Sequence, residues 1–214
     1  MAPMEMKSMG PSNWLKETLI LVNKSIAREI LSTYKPSDGI AIDIGCGSGW
    51  MGIELARLSG FNIILLDLNR EEVSKAYLNA HSVGVSDKIF PIVADAHHLP
   101  FKDEVAILIV SRGSIFFWDK PAKALRDSYR VLNKNGIAFI GGGFGKTLPR
   151  DIRKKIYEEV KRTIRQNNAM LKKWRKGRSF KVFNGWIHEA GLSNYRIIKN
   201  SFDIWVEIRK KEGN

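Results

Sequence analysis

Chemistry is most concentrated in Asp43-Ile44-Gly45-Cys46-Gly47-Ser48-Gly49-Trp50, where an apolar run ends in a carboxylate and breaks into three alternate glycines. Glycine adopts positive φ without steric cost and lets a ligand lie against bare backbone. A helical pattern opens at about Trp50 and carries Met51, Ile53, Leu55, Ala56 and Leu58 before stopping at Gly60. Its first turn offers unpaired N–H groups and a partial positive charge, which suits a carboxylate or a phosphate. Two further apolar runs end in acids, Asn62 to Asp67 and about Lys88 to Asp95, and a fourth, Val105 to Val110, leads into Ser111-Arg112-Gly113-Ser114. A formal G-x-G-x-x-G exists at Gly47, Gly49 and Gly52, the fingerprint of a dinucleotide pyrophosphate site. Its register is poor, because Gly45 comes first and Asp43 stands just before the turn. An acid there is badly placed for a pyrophosphate and suits a ligand with an ammonium group.

Alternating strands and helices must bring these positions together. Residues 12–34 read as an amphipathic helix with Ser12 or Asn13 as cap and Trp14, Leu15, Thr18, Leu19, Val22, Ile26, Ile30 and Leu31 at helical spacing. It serves either as plain cover for a sheet or as a lid. Asn69, with Glu72 as capping-box partner, opens a helix that Gly84 closes. Pro91 inside the third apolar run removes a ladder donor and marks an edge strand. Pro121 opens a helix carrying Ala124, Leu125, Tyr129, Val131 and Leu132, and Asn135-Gly136 turns into a fifth strand, Ile137 to Ile140. Strands alternating with helices predict a parallel sheet with helices on both faces, and ligands bind such sheets at the carboxyl ends of the strands. Asp43, Asp67, Asp95 and Ser111 all fall there. Beyond the sheet, Pro149 to Trp174 reads as one long basic helix with the stripe Ile152, Ile156, Val160, Ile164, Leu171 and Trp174, and Phe180 to Ala190 as another. Two strands, about Asn194–Lys199 and Phe202–Arg209, should pair antiparallel.

Composition narrows the setting. The 214 residues are 44% hydrophobic, enough for a substantial core, and contain no apolar stretch long enough for a membrane span. Nothing at the start of the chain resembles a signal peptide, and the expectation is a soluble cytoplasmic protein with membrane contact disfavoured. The single cysteine, Cys46, excludes an intramolecular disulfide, and no metal-ligand constellation stands out. Of the net charge of +13, about +11 comes from residues 146–181, where fourteen Lys/Arg face three Asp/Glu. Such a segment is a solvated helix face, a lid, or a contact for an anionic partner such as nucleic acid.

The stretch Asp43 to Gly49 closely resembles the first motif of class I S-adenosylmethionine-dependent methyltransferases. Asp67 stands where these enzymes carry the acid ending the second strand. Ala94-Asp95-Ala96-His97-His98-Leu99-Pro100-Phe101 is similar to the D-A-x-x-L-P-F stretch of the ubiquinone/menaquinone-type branch. Tyr129-Arg130-Val131-Leu132-Asn133-Lys134-Asn135-Gly136 resembles its R-V-L-K-P-G-G segment, with Asn135 and Ile137 departing from the usual Pro and second Gly. The resemblance covers roughly residues 38–145 and 180–210. It implies a doubly wound, Rossmann-like α/β sheet of seven strands, mostly parallel with an antiparallel C-terminal hairpin, in one methyltransferase domain. That domain divides into a cap helix (1–35), a cofactor-binding core (38–145), an inserted basic helix or lid (146–179) and a closing helix with its strand hairpin (180–210).

The resemblance also implies S-adenosyl-L-methionine as cofactor and S-adenosyl-L-homocysteine as product. Backbone N–H groups around Gly45, Cys46, Gly47 and Gly49, with Asp43, would face the methionine part. Asp67 would accept both ribose hydroxyls with Leu68 alongside, Asp95 and Ala96 would meet the adenine, and Ser111 would contact the methionine ammonium through its backbone. Methylation of exocyclic base amines is disfavoured, since Ser111-Arg112-Gly113-Ser114 occupies the place of an N/D-P-P-Y/F motif, and so is cysteine-based C5 methylation, since Cys46 lies in the cofactor loop. A small metabolite is the expected acceptor, anionic if Arg112 holds it, with RNA reached through the basic helix as the alternative and a non-catalytic cofactor-binding module as a third reading. Arg112 and Trp118 are the substrate-side candidates, Phe116 and Phe117 wall a pocket or fill the core, and His81, His97, His98 and His188 show no partner that would make one a general base. The number of subunits is left open.

Overall fold

A computed structural model describes residues 11–210. Seven strands form one sheet: β1 (Ile40–Ile44), β2 (Asn62–Asp67), β3 (Ile89–Val93), β4 (Ala106–Arg112), β5 (Leu132–Gly142), β6 (Tyr195–Lys199) and β7 (Ile204–Arg209). Their order across the sheet is β3-β2-β1-β4-β5-β7-β6. The first five run parallel, and β7 enters antiparallel between β5 and β6. This is the doubly wound sheet with a closing hairpin that the sequence predicts. Chain direction reverses its march between β1 and β4, and that switch point opens the crevice above Ile44. Pro91 lies in β3, the edge strand.

Helices cover both faces: α1 (Pro11–Tyr34), α2 (Trp50–Leu58), α3 (Arg70–Ser82), α4 (Pro121–Val131), α5 (Arg150–Arg165), α6 (Asn168–Gly177) and α7 (Phe180–Glu189). Ile42, Ile44, Leu66, Ile109 and Ile140 lie under one layer, and Ala41, Ile63, Leu65, Leu108 and Phe139 under the other. Burial of each large side chain among them contributes roughly 1.5–3 kcal/mol. With both faces dry, the central strands read as continuous apolar runs rather than alternating ones.

Several expectations need correction. The basic segment is two helices, because the Asn167 side chain accepts the N–H groups of Ala169 and Met170 at 3.1 Å each and starts a new helix there. The fourth strand runs two residues further than Val110, so Ser111 and Arg112 belong to it. The fifth begins at Leu132, straight from α4, and carries Asn135 at a φ of 65°. Asn69 does cap α3, but Glu72 does not complete the box; it pairs with Lys75 at 2.8 Å, and Asp67 takes the Asn69 N–H instead. The cap side chains expected at Ser12 and Asn13 lie outside the described residues.

Candidate functional site

Three cavities adjoin above the carboxyl ends of β1, β2, β4 and β5. The first, about 250 Å³, is lined by Gly45, Asp67, Leu68, Asp95, Ala96 and Trp118 among others. The second, about 310 Å³, lies over the glycine loop between Asp43, Gly45, Cys46, Gly47, Asn23 and Arg112. The third, about 200 Å³, is walled by Phe116, Phe117, Phe144, Trp174, Arg112 and Arg178. Gly45 borders the first and second, Arg112 and Leu19 the second and third, and Phe117 the first and third. The three are therefore one cleft with a polar end and an aromatic end.

The loop is held by its own hydrogen bonds. Gly45, Gly47 and Gly49 all have left-handed φ, at 66°, 51° and 82°. A Cβ on Gly45 would stand 2.4 Å from the Ser114 Cβ, so only glycine lets β4's following turn close against the loop. The N–H groups of Gly45 and Cys46 go to the Leu66 carbonyl at 2.7 and 3.0 Å, and that of Gly47 goes to Asp67 Oδ2 at 2.9 Å. These amides are thus spent inside the protein, contrary to the expectation that they face a ligand; what the loop offers is bare backbone surface. Gly49 caps α2 and packs against Ala76 rather than lining a cavity. Cys46 is half-buried at the edge of the second cavity, and burial, with Asp43 and Asp67 beside it, pushes its thiol above the ordinary range, which keeps it protonated.

Asp43 is 2% exposed, and its Oδ2 accepts the N–H of Gly52 in the first turn of α2 at 2.9 Å. It anchors the helix N-terminus and also lines the second cavity. Burial raises its pKa to about 7, with Asp67 pushing the same way and the Gly52 N–H and Arg112 opposing. Asp67 ends β2 with one N–H on each oxygen, from Gly47 and from Asn69. Each oxygen keeps a lone pair for a ligand.

Asp95 faces the first cavity. Its Oδ1 takes the His97 N–H at 2.9 Å and pairs with His97 Nδ1 at 2.5 Å. Burial works against ionisation here, but the bonds from His97 prevail and hold the carboxyl below its usual range. Three of the four histidines therefore have partners: His97 also accepts the Lys120 N–H, His98 meets Lys123, and His188 meets Tyr195. None of them lines the aromatic cavity.

Ser111 is fully buried, its Oγ 2.5 Å from Ser114 Oγ, which reaches on to the Ile44 carbonyl at 3.1 Å. It lies beneath the cleft, and Ser114, unforeseen, is the residue that lines it. Arg112 sits between the second and third cavities with Nε donating to the Gly143 carbonyl at 3.3 Å. Burial lowers its pKa to about 10, against the opposing pull of Asp43 and Asp203. Trp118 lies in the first cavity with Asp67 and Asp95, away from Arg112.

Helix α1 supplies what sequence reasoning missed. Asn23, 6% exposed, lines the second cavity, and its Oδ1 is buried without a hydrogen-bond partner. Its signal was a polar residue inside the apolar stripe of Leu19, Val22 and Ile26. An unpartnered acceptor beside the Asp43 carboxylate fits an ammonium, and Arg112 on the same cavity fits a carboxylate. Acceptors at Asp67 and Asp95 between apolar walls fit a nucleoside. The residues present match S-adenosylmethionine at both ends.

Comparisons agree with that fit. Residues 42–140 match a family model described as a methyltransferase domain. A protein of Methanococcus maripaludis, provisionally described as an S-adenosyl-L-methionine-dependent methyltransferase, shares 34% identity over 96% of this chain and 94% of its own, with a TM-score of 0.81. A SAM-dependent methyltransferase of Aquifex aeolicus shares the fold at a TM-score of 0.62 and 16% identity, over 94% of this chain and all of its own. Among curated proteins, a chloroplastic 2-methyl-6-phytyl-1,4-hydroquinone methyltransferase of Oryza sativa subsp. japonica is 31% identical over 102 residues, 47% of this chain. That match spans 30% of the rice protein's length.

Proposed function

The chain belongs to the class I S-adenosylmethionine-dependent methyltransferases, and from that premise we propose that it methylates a small-molecule acceptor bound in the aromatic cavity. The observation that carries this reading is the adjacency of that mostly apolar cavity to the polar end of the cleft. Asp67 and Leu68 hold the ribose, and Asp95, Ala96 and Trp118 take the adenine. Asp43 and Asn23 meet the ammonium, Arg112 meets the carboxylate, and Gly45, Cys46 and Gly47 give the ligand close passage.

The cofactor supplies a methyl group already activated on a sulfonium. The protein's part is to align a nucleophile with it and exclude water, and positioning of this kind is worth roughly 7–11 kcal/mol. Helix α1 roofs the glycine loop through Leu19 and Asn23, while Val160, Ile164 and Trp174 from α5 and α6 roof the acceptor. Among the described residues, no side chain lining the aromatic cavity is a carboxylate or a histidine.

The test is a turnover assay for S-adenosyl-L-homocysteine, run on fractionated small metabolites beside total RNA, with calorimetry of product binding. Turnover confined to a small-molecule fraction is expected. Turnover on RNA alone overturns the acceptor class, and failure of the wild type to bind S-adenosyl-L-homocysteine overturns the cofactor assignment.

A further inference from the structure

The aromatic cavity contains more positive charge than the protein neutralises. Arg112 and Arg178 both line it, and neither lies within 4.0 Å of a carboxylate among the described residues. Arg178 follows α6, and one of its N–H groups donates to the Phe202 carbonyl. Its guanidinium carbon stands 5.1 Å from the Trp174 ring centre, 5.6 Å from that of Phe116 and 5.7 Å from that of Tyr157. It is therefore held among three aromatic rings, two of which, Phe116 and Trp174, line the third cavity with it.

Two acids lie in the neighbourhood: Asp43 acts on Arg112 from the second cavity, and Asp203 acts on both Arg112 and Arg178. Asp203 is 3% exposed, and its oxygens already serve the Phe144 N–H and the Asn200 amide, both at 2.6 Å. Arg153 approaches it at 4.0 Å. Three guanidinium groups thus share the fully engaged Asp203, and of them Arg112 also has Asp43 while Arg178 has no second acid. Burying a cation is costly unless an anion joins it. The surrounding apolar walls make the ligand's own charge the economical source of that anion.

We propose that Arg178 is a specificity residue: it selects acceptors that carry a carboxylate on an aromatic or similarly flat apolar body. The body lies between Phe116, Phe117, Phe144 and Trp174, and the carboxylate meets the guanidinium. Arg178, unlike Arg112, borders only the third cavity, so its role separates from cofactor binding. The inference rests on the methyltransferase reading above but fails independently of it.

Phenylacetate and its neutral counterpart phenylacetamide, titrated into full-length protein saturated with S-adenosyl-L-homocysteine, provide the test. Phenylacetate should bind about tenfold or more tightly than the amide. Arg178→Met should bring the acid down to the level of the amide while S-adenosyl-L-homocysteine affinity stays within about twofold, and Arg178→Lys should recover part of the preference. Equal binding of acid and amide by the wild type, or binding of neither at millimolar concentration, overturns the proposal without any variant. So does a preference that survives in Arg178→Met protein of unchanged circular dichroism. Loss of product binding by the wild type instead removes the cofactor reading.

Discussion

The floor and the roof of the cleft are built on different principles. The floor, β1 through β4 with their loops, places its groups by backbone geometry: left-handed glycines, acids at strand ends and amides spent on neighbouring oxygens. The roof, α1 with α5 and α6, places Leu19, Asn23, Trp174 and Arg178 by the way helix faces pack. The left-handed floor glycines Gly45 and Gly49 tolerate almost no change of residue type. A roof position can be altered while its helix stays intact. In the proposed reading most of the cofactor's partners belong to the floor, with Asn23 the exception from the roof.

Variants sharpen or break this contrast. The largest effect is expected at Gly45→Ala, where left-handed strain of about 1–3 kcal/mol adds to the collision with Ser114. Product affinity measured by calorimetry should fall roughly a hundredfold; retention of wild-type affinity would mean that the loop is not the rigid floor described. Next comes Asp67→Ala, which removes the Gly47 anchor as well as the proposed ribose acceptor and should cost roughly 1.5–3 kcal/mol of binding.

Asp43 gives the pH dependence. A bound ammonium favours its ionised form, so product affinity should rise with pH through about 7, by roughly tenfold from pH 6 to pH 8. Asp43→Asn, which keeps an acceptor for the Gly52 N–H, should flatten that profile. The sign for folding is opposite. The folded pKa is raised from 3.8 to about 7, so the proton-linked contribution is full below about pH 4 and is lost as pH rises through 7. Urea unfolding should accordingly favour Asp43→Asn over the wild type more at pH 8 than at pH 5. The smallest effect belongs to the roof. Asn167→Ala should cost about 1 kcal/mol of stability through the lost cap and leave product affinity untouched.

The same contrast explains what could be read from the sequence. Strand ends are visible because an apolar run stops at an acid, so Asp43, Asp67 and Asp95 could be placed before any coordinates. The fates of individual amides were not visible: Gly47 looks equally ready for a ligand and for Asp67. Arg178 is hidden for another reason. It is one of fourteen cations in a basic segment, and only the packing of Phe116, Tyr157 and Trp174 around it distinguishes it from the solvated ones. Asn167 reads as an ordinary polar residue in a helical pattern until its side chain is seen to restart the helix.

That restart has a thermodynamic consequence. It divides the acceptor roof into helices of 16 and 10 residues, lengths that are marginal in water without tertiary contacts. Among the described residues of α5, Ile156 is the fully buried anchor, as Trp174 nearly is in α6. Amide hydrogen exchange should find this pair of helices opening well below the free energy that unfolds β1 and β4; exchange from both regions at one common free energy would show that roof and floor unfold together.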